Sequence, residues 1–304
     1  MNPEVAVVIP TRGRPELLRR AVEAVQAQLY EGLVESVVVS DAETLEPSTL
    51  PPGRPDRPVR LLANGRTPGP SGARNTGILA SKGAYVAFCD DDDVWRPGKL
   101  AAQVATLEQA PHLSAVSCSL ALHLAGGRVR LRRSRHPTLG LPDLLGTRPV
   151  HLHLSGLACR RDLILHQVGL FDEAIPGSYG EDYDWLLRLA VAGPIRSLSE
   201  PLVDVAWTGG SWFAGRWDLI ASAILYLLAK HPELRSHRAG RARLEGRLAY
   251  ARACSGRRAE ARHWAARALA ANPFERRSYL ALLVSAGVPS AGLARVSALV
   301  GRGL

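Results

Sequence analysis

Tyr85-Val86-Ala87-Phe88-Cys89-Asp90-Asp91-Asp92-Asp93-Val94-Trp95 sets four consecutive carboxylates directly behind five apolar side chains. The apolar run reads as a buried strand, so the carboxylates fall at its carboxyl end. In open α/β sheets, ligands bind at the carboxyl ends of the strands. Four adjacent carboxylates repel one another, and this run is tied down on both sides, by the strand before it and by Val94-Trp95 after it. A hard, oxygen-seeking divalent cation would relieve the repulsion and could in turn hold a diphosphate. The competing reading is a solvated or helix-capping acidic turn.

Upstream of this stretch, strands and helices alternate. Val5–Ile9 reads as a buried strand, Pro15 suits a first helical turn, and Leu18, Ala21, Val22, Val25 and Leu29 repeat at helical spacing. Val37–Val39 and Val59–Leu62 read as further strands around a Pro-rich loop (Pro47 to Pro58), and a helix is expected near Gly72–Ala80. The alternation predicts an α/β fold with an open, mostly parallel sheet and helices on both faces. Downstream, Ala115–Leu122 reads as a strand, Arg128–Arg135 as a basic loop or edge, and Glu181–Ala192 as a helix. Beyond about Arg216 only helices are expected, which divides the chain into a catalytic domain, 1–215, and a helical extension, 216–304. Gly256, Ala261, Ala268 and Pro273 fall at offsets of a single tetratricopeptide-like hairpin.

The formal charge of +10 is unevenly spread: from His231 to Leu304 there are 14 Arg and 4 Glu, leaving 24 basic and 24 acidic groups before it. A nucleic-acid enzyme would carry its positive field around the active site, so no nucleic-acid partner is expected. Arg-rich helices with an apolar side must bury that side within the chain, in a homodimer, or on a membrane surface. Cys89, Cys118, Cys159 and Cys254 form no CxxC pair, so buried thiols are expected rather than a zinc site or a disulfide framework. The start of the chain lacks a charged region followed by a long apolar run, and Leu219–Ala229 is too short to span a bilayer. The expectation is a soluble, cytoplasmic chain, with peripheral membrane contact as an option for the C-terminal helices.

Other residues carry chemistry more weakly. Asp41 follows a predicted strand, where one Asp is often a turn or cap residue. Gly69-Pro70-Ser71-Gly72-Ala73-Arg74-Asn75 puts a flexible turn and a guanidinium before a helix, fit to bind phosphate or to pair with the acidic run. Glu181 and Asp182 open a helix, where acids also answer the helix dipole. His123, His136, His151 and His153 show no ligand spacing and are expected at the surface or behind the site.

Taken in order, residues 7–15 (Val-Val-Ile-Pro-Thr-Arg-Gly-Arg-Pro), 37–41 (Val-Val-Val-Ser-Asp), 72–75 (Gly-Ala-Arg-Asn), 82–100 and 180–188 (Gly-Glu-Asp-Tyr-Asp-Trp-Leu-Leu-Arg) closely resemble family 2 glycosyltransferases of the GT-A fold. The resemblance covers about the first 210 residues. It implies a metal-dependent, inverting transfer of a sugar from a nucleoside-diphosphate donor of the UDP, dTDP or GDP type. It places Pro10, Thr11, Arg12, Asp41, Arg74, Asp90 and Asp91 on the donor, Asp92 and Asp90 on Mn2+ or Mg2+, and Asp182 as general base. Glu181, Trp95, Trp207 and Thr208 would lie toward the acceptor, be it a glycan, a peptide, a natural product or a lipid-linked saccharide. Two departures stand out. The second-strand motif continues Ala42-Glu43, where relatives commonly carry a second acid beside the Asp. Thr208 replaces a His that many relatives carry before Gly-Gly, which would leave the metal only oxygen ligands.

Two rivals remain at this point. A sugar-nucleotide nucleotidyltransferase would want a Gly-rich basic loop after the first strand, of which Thr11-Arg12-Gly13-Arg14 is a faint version, and it leaves Glu181-Asp182 idle. It would release pyrophosphate or a nucleotide sugar instead of a nucleoside diphosphate. A non-catalytic nucleotide-sugar-binding or scaffolding protein would neither transfer nor hydrolyse donor.

Overall fold

The computed structural model describes residues 2–41, 45–134, 136–147, 151–207 and 212–290. The chain divides into two compact units, one of residues 1–144, 148–173 and 181–209, the other of 145–147, 174–180 and 210–304.

The first unit is built on β1 (Val5–Thr11), α1 (Pro15–Gln26), β2 (Val34–Ser40), β3 (Val59–Ala63), α2 (Pro70–Ala80) and β4 (Tyr85–Phe88). β5 (Asp93–Trp95), α3 (Lys99–Gln109), β6 (Ala115–Leu124), β7 (Val129–Arg132), β8 (Thr138–Leu139) and α4 (Leu141–Gly146) follow. Then come β9 (Ala158–Arg160), a short α5 (Arg161–Leu163) running on as a π-turn, α6 (Glu181–Ala192) and β10 (Ile195–Trp207). The sheet runs β3-β2-β1-β4-β9-β6-β10-β5, with β7 on β6 and β8 on β10.

The α/β architecture is as expected, and its first half is the parallel sheet read from the sequence: β1 pairs parallel with β2 and β4, and β2 with β3. The second half is mixed. β9 runs antiparallel to both β4 and β6, β5 antiparallel to β10, and β10 parallel to β6. The parallel half is legible because β1 is buried along its whole length between two neighbours, which demands an unbroken apolar run. α1 begins at Pro15 and buries Leu18, Ala21, Val22 and Val25, but it ends at Gln26, so Leu29 lies outside the helix and is exposed. The basic segment after β6 forms an edge strand, β7, with Val129 and Leu131 exposed.

α2 packs unusually close to the sheet. A Cβ at Gly77 would meet Val8 Cγ1 at 2.4 Å, and one at Gly72 would meet the Thr67 carbonyl oxygen at 2.0 Å. Only glycine permits this approach, and it fixes Arg74 between the two contacts.

The second unit holds α7 (Trp217–Lys230), α8 (Pro232–Ser236), α9 (Arg238–Cys254), α10 (Arg258–Ala271) and α11 (Arg276–Ser285). α9 and α10 turn at Gly256, whose φ of 79° suits glycine. Ala249, Tyr250, Ala253, Ala261, Ala265 and Ala281 form a core of mostly small residues among these helices. Among the described residues no helix is long and apolar enough to cross a membrane. Cys89, Cys118 and Cys159 are buried free thiols, and Cys254 is a half-buried one.

Candidate active site

β4 ends on Phe88, and the acidic run leaves the sheet as a tight turn in which the Asp93 amide donates to the Asp90 carbonyl at 3.1 Å. The four carboxylates therefore point to different places. Asp90 faces Arg74: guanidinium Nη2 donates to Asp90 Oδ1 at 2.8 Å, while Nη1 donates to Glu181 Oε1 at 2.9 Å. Arg74 is 5% exposed and lies over the Phe171 ring. The tip of β4 is thereby tied to the first turn of α6, where Asp182 follows Glu181.

An aromatic trio reinforces that tie. Trp185 stacks on Phe171 with ring centroids 4.9 Å apart, and Phe88 meets both rings edge-on. The Trp185 indole N–H donates to the Gly169 carbonyl at 3.0 Å. One helical turn before Trp185 sit Glu181 and Asp182, so their position is set by packing as well as by charge.

Asp91 turns inward. It is fully buried, accepts the Thr11 hydroxyl at 2.6 Å and pairs with Arg14. Its side chain holds the turn against the end of β1, withdrawn from the surface where the resemblance expected a donor contact. Arg14, named from the sequence only as part of a faint basic loop, also reaches Asp92 Oδ2 at 2.7 Å. Asp92 keeps a third of its side-chain surface open and is the carboxylate of the run most accessible from solvent.

Asp93 goes the other way, toward His153. Its Oδ2 lies 3.4 Å from Nδ1, and His153 Nε2 lies 3.8 Å from Asp90 Oδ2. Ser155 joins the group, its Oγ accepting the Asp90 amide at 2.9 Å and its hydroxyl bonding to Asp93. His153, expected at the surface or behind the site, is brought against Asp90 and Asp93 by the turn that leads into β9. Asp90, Asp93 and His153 are spaced to share a metal ion, with no atom of the set more than 4.8 Å from another.

The electrostatics follow from burial. Burial pushes Asp91 up to about 6, against the pull of Thr11 and Arg14. Burial pushes Asp93 up to about 7, although His153 opposes it. Glu181 rises to about 7, through burial first and repulsion from Asp182 second, with Arg74 opposing both. Asp90 is opposed by burial too, yet Arg74 and His153 hold it below the usual carboxylate range. A concentration of oxygens whose charge is this poorly solvated fits a hard divalent cation, which favours deprotonated carboxylates.

The remaining expected residues separate into groups. Pro10 and Thr11 end β1, and Arg12 lies 4.0 Å from Asp41 with much of its side chain exposed. Asp41 follows β2 and accepts the Gly69 amide at 2.9 and 3.0 Å and the Asn64 amide at 2.7 Å, so it also organises the loop before α2. Trp95 is 2% exposed within the core, with the Lys99 ammonium 3.5 Å from its ring centroid; it is unavailable to an acceptor. Trp207, 55% exposed at the end of β10, remains available. Thr208, and with it Ala42 and Glu43, lie outside the described residues. His123 pairs with Asp204 at 2.7 Å, and Arg96 grips the same carboxylate with two bonds of 2.8 Å.

A mixed sheet whose parallel half gathers acids at its strand ends, with an acidic helix start beside them, is an α/β fold of the GT-A type. The sequence model of "Glycosyl transferase family 2" matches residues 6–164, and the chain belongs to that family. It is 35% identical over 210 residues to the succinoglycan biosynthesis protein ExoO of Rhizobium meliloti, covering 66% of this chain and 59% of that one. The chain thus spans little more than half of that relative's length. Among solved structures, S. aureus TarS 1-349 in complex with UDP-GlcNAc aligns with a TM-score of 0.58 at 14% identity, covering 91% of each chain. The mannosyltransferase PcManGT from Pyrobaculum calidifontis, in complex with GDP-Man and Mn2+, aligns with 0.55 at 19% identity, covering 94% of this chain and 86% of that one. At these identities the structural likenesses show the fold.

Proposed function

We propose that the chain is a metal-dependent, inverting glycosyltransferase that moves a sugar from a nucleoside-diphosphate donor to an acceptor hydroxyl in a single displacement. The observation that supports this reading is the Arg74 bridge, which ties Glu181, the residue before Asp182, to Asp90 of the carboxylate turn. Neighbours of the same fold were captured with UDP-GlcNAc and with GDP-Man and Mn2+, which supports a UDP or GDP donor here, while a dTDP donor rests on the sequence resemblance alone.

In this reading Thr11, Arg12 and Asp41 flank the nucleoside, Arg74 keeps Asp90 ionised toward the donor, and Asp90 and Asp92 hold Mn2+ or Mg2+. The bound cation would neutralise the charge that gathers on the departing diphosphate. Asp182 takes the proton from the acceptor hydroxyl as its oxygen bonds to the anomeric carbon. The bond from that carbon to the diphosphate breaks with its electron pair leaving on the phosphate. Residues 1–215 carry this chemistry, with 216–304 as a helical extension. Trp207 offers surface to the acceptor.

The test is a pair of variants with opposite signatures. Asp92→Asn should abolish the Mn2+-dependent thermal stabilisation by UDP or GDP, since the ion links carboxylate to phosphate. Asp182→Asn should keep that stabilisation and lose at least ~100-fold in turnover. An Asp182→Asn protein that loses donor binding but keeps its turnover at saturating donor would overturn the assignment of the base.

A further inference from the structure

The unusual member of the site is His153, since its two ring nitrogens face two different carboxylates. Nδ1 is directed at Asp93 Oδ2, 3.4 Å away, and both atoms are buried without a formed hydrogen bond. Asp93 itself is 1% exposed, so this orphaned oxygen has no water to turn to. On the opposite side of the ring, Nε2 stands 3.8 Å from Asp90 Oδ2, too far for a hydrogen bond. That gap matches two atoms that share one ion, each at roughly 2.1 Å from it.

We propose that His153 is the nitrogen ligand of the donor-site cation through Nε2, and that Asp93 is the positioning residue that orients its ring through Nδ1–H. The order Asp93, His153, metal, Asp90 is the arrangement by which a carboxylate fixes the tautomer and raises the basicity of a ligating imidazole. The four-carboxylate run then has a division of labour. Asp90 and Asp92 offer oxygens to the ion, Asp91 anchors the turn on Thr11 and Arg14, and Asp93 serves the histidine. Ser155 holds the geometry by bonding to the Asp90 amide and to Asp93 at once. A site with an imidazole in place of one water should favour Mn2+ over Mg2+, since nitrogen ligands suit the transition metal better.

This inference rests on the metal-dependent reading above, and electron spin resonance of the intact chain with Mn2+, alone and with UDP, separates the two. Wild-type protein should show bound Mn2+ whose pulsed spectrum carries a 14N coupling, present also without UDP, when no nucleotide nitrogen is available. His153→Gln should bind Mn2+ about 10- to 100-fold more weakly and lose the nitrogen coupling, while Asp93→Asn keeps the coupling and binds about 10-fold more weakly. Bound Mn2+ in wild type with no nitrogen coupling would overturn the role of His153 and leave the metal reading intact. No bound Mn2+ in wild type even with UDP would overturn the metal reading, and this inference with it.

Discussion

The two units place their charges by opposite rules. At the tip of β4, Arg74, Asp91 and Asp93 are almost wholly withdrawn from solvent and depend on one another. In the helical unit the core is made of alanines, and most arginines stand outside it. Buried charges there pair outward, among the described residues, to exposed partners: Glu245, 2% exposed, with Arg267 at 2.8 Å, and Arg252 with Asp218 and Glu260 at 3.1 Å each. A buried ion network is poor at adding stability, because desolvation takes back most of the attraction. In the sheet unit the network fixes carboxylates at the strand ends, where the proposed donor site lies, while the partners of the helical unit's buried charges reach into solvent.

The sharpest way to break this contrast is to remove one cation from each unit. Arg74→Met would leave Asp90 and Glu181 without their partner and should destabilise the chain by about 3–5 kcal/mol, the cost of orphaning buried charge. Arg262→Ala, on the exposed side of α10, should change stability by no more than about 0.5 kcal/mol. Both are read by denaturant unfolding at neutral pH, and equal effects would dissolve the distinction. The reverse experiment fills the helical core. Ala265, fully buried on α10, leaves no room for extra methylenes, so Ala265→Leu should cost about 1–3 kcal/mol in the same assay.

How far sequence reading reached follows the same division. β1, β2 and β4 were legible because a strand buried on both faces must be apolar throughout, and the acidic run marked where β4 stops. β5 and β9, with three residues each, have no period to detect, and β9 hides behind Cys159 and Arg160. β10 alternates serines with apolar residues and breaks register around Pro201, which masks a 13-residue strand. Asp90, Asp92 and Asp182 were named through their motifs and Arg74 through its place before a helix, and the structure brings Arg74 against Asp90 and Glu181. His153 and Ser155 were not, since Ser155 stands 65 residues from Asp90 and only the pairing of β9 with β4 brings that turn back. Trp95 misled because its neighbourhood in sequence is the site while its side chain belongs to the core.

A smaller test concerns a buried charge that serves no ligand. Lys99 is fully buried, donates to Gln103 Oε1 at 2.9 Å and rests on Trp95. Burial pushes its ammonium down to about 8. Because the unfolded chain keeps the ordinary higher value, folding is penalised in full below about pH 8, and the penalty fades as pH rises through the window up to about 10.5. Lys99→Met should remove it, offset in part by an orphaned Gln103 oxygen, for a net gain of about 1 kcal/mol at pH 7. The gain should vanish near pH 10; a variant that is less stable than wild type at pH 7 would show that the Gln103 bond outweighs desolvation.

The smallest effect expected of a charge near the site belongs to Glu173, which is paired without being sealed off. It accepts Asn75 Nδ2 at 2.7 Å, Arg66 Nε at 2.5 Å and the Thr67 amide at 3.2 Å, and so clips the segment after Phe171 to the start of α2. Burial works against its ionisation, but these donors, Asn75 foremost, bring it down to about 2. A carboxyl depressed in the folded state contributes its stabilisation fully above its unfolded value, near 4.5, and loses it as pH falls from there toward 2. Its main cation, Arg66, is 40% exposed, so solvent screens much of the pairing and the contribution at pH 7 should be about 0.5–1 kcal/mol. Glu173→Gln keeps an acceptor oxygen but not the charge. It should be less stable than wild type by that amount at pH 7, with the gap closing as pH is lowered through 4 to 2.5. Because every other carboxylate titrates identically in both proteins, the difference between their unfolding free energies isolates this one group. A gap that stays constant across that window would mean that Glu173 acts through the shape of its hydrogen bonds and not through its charge.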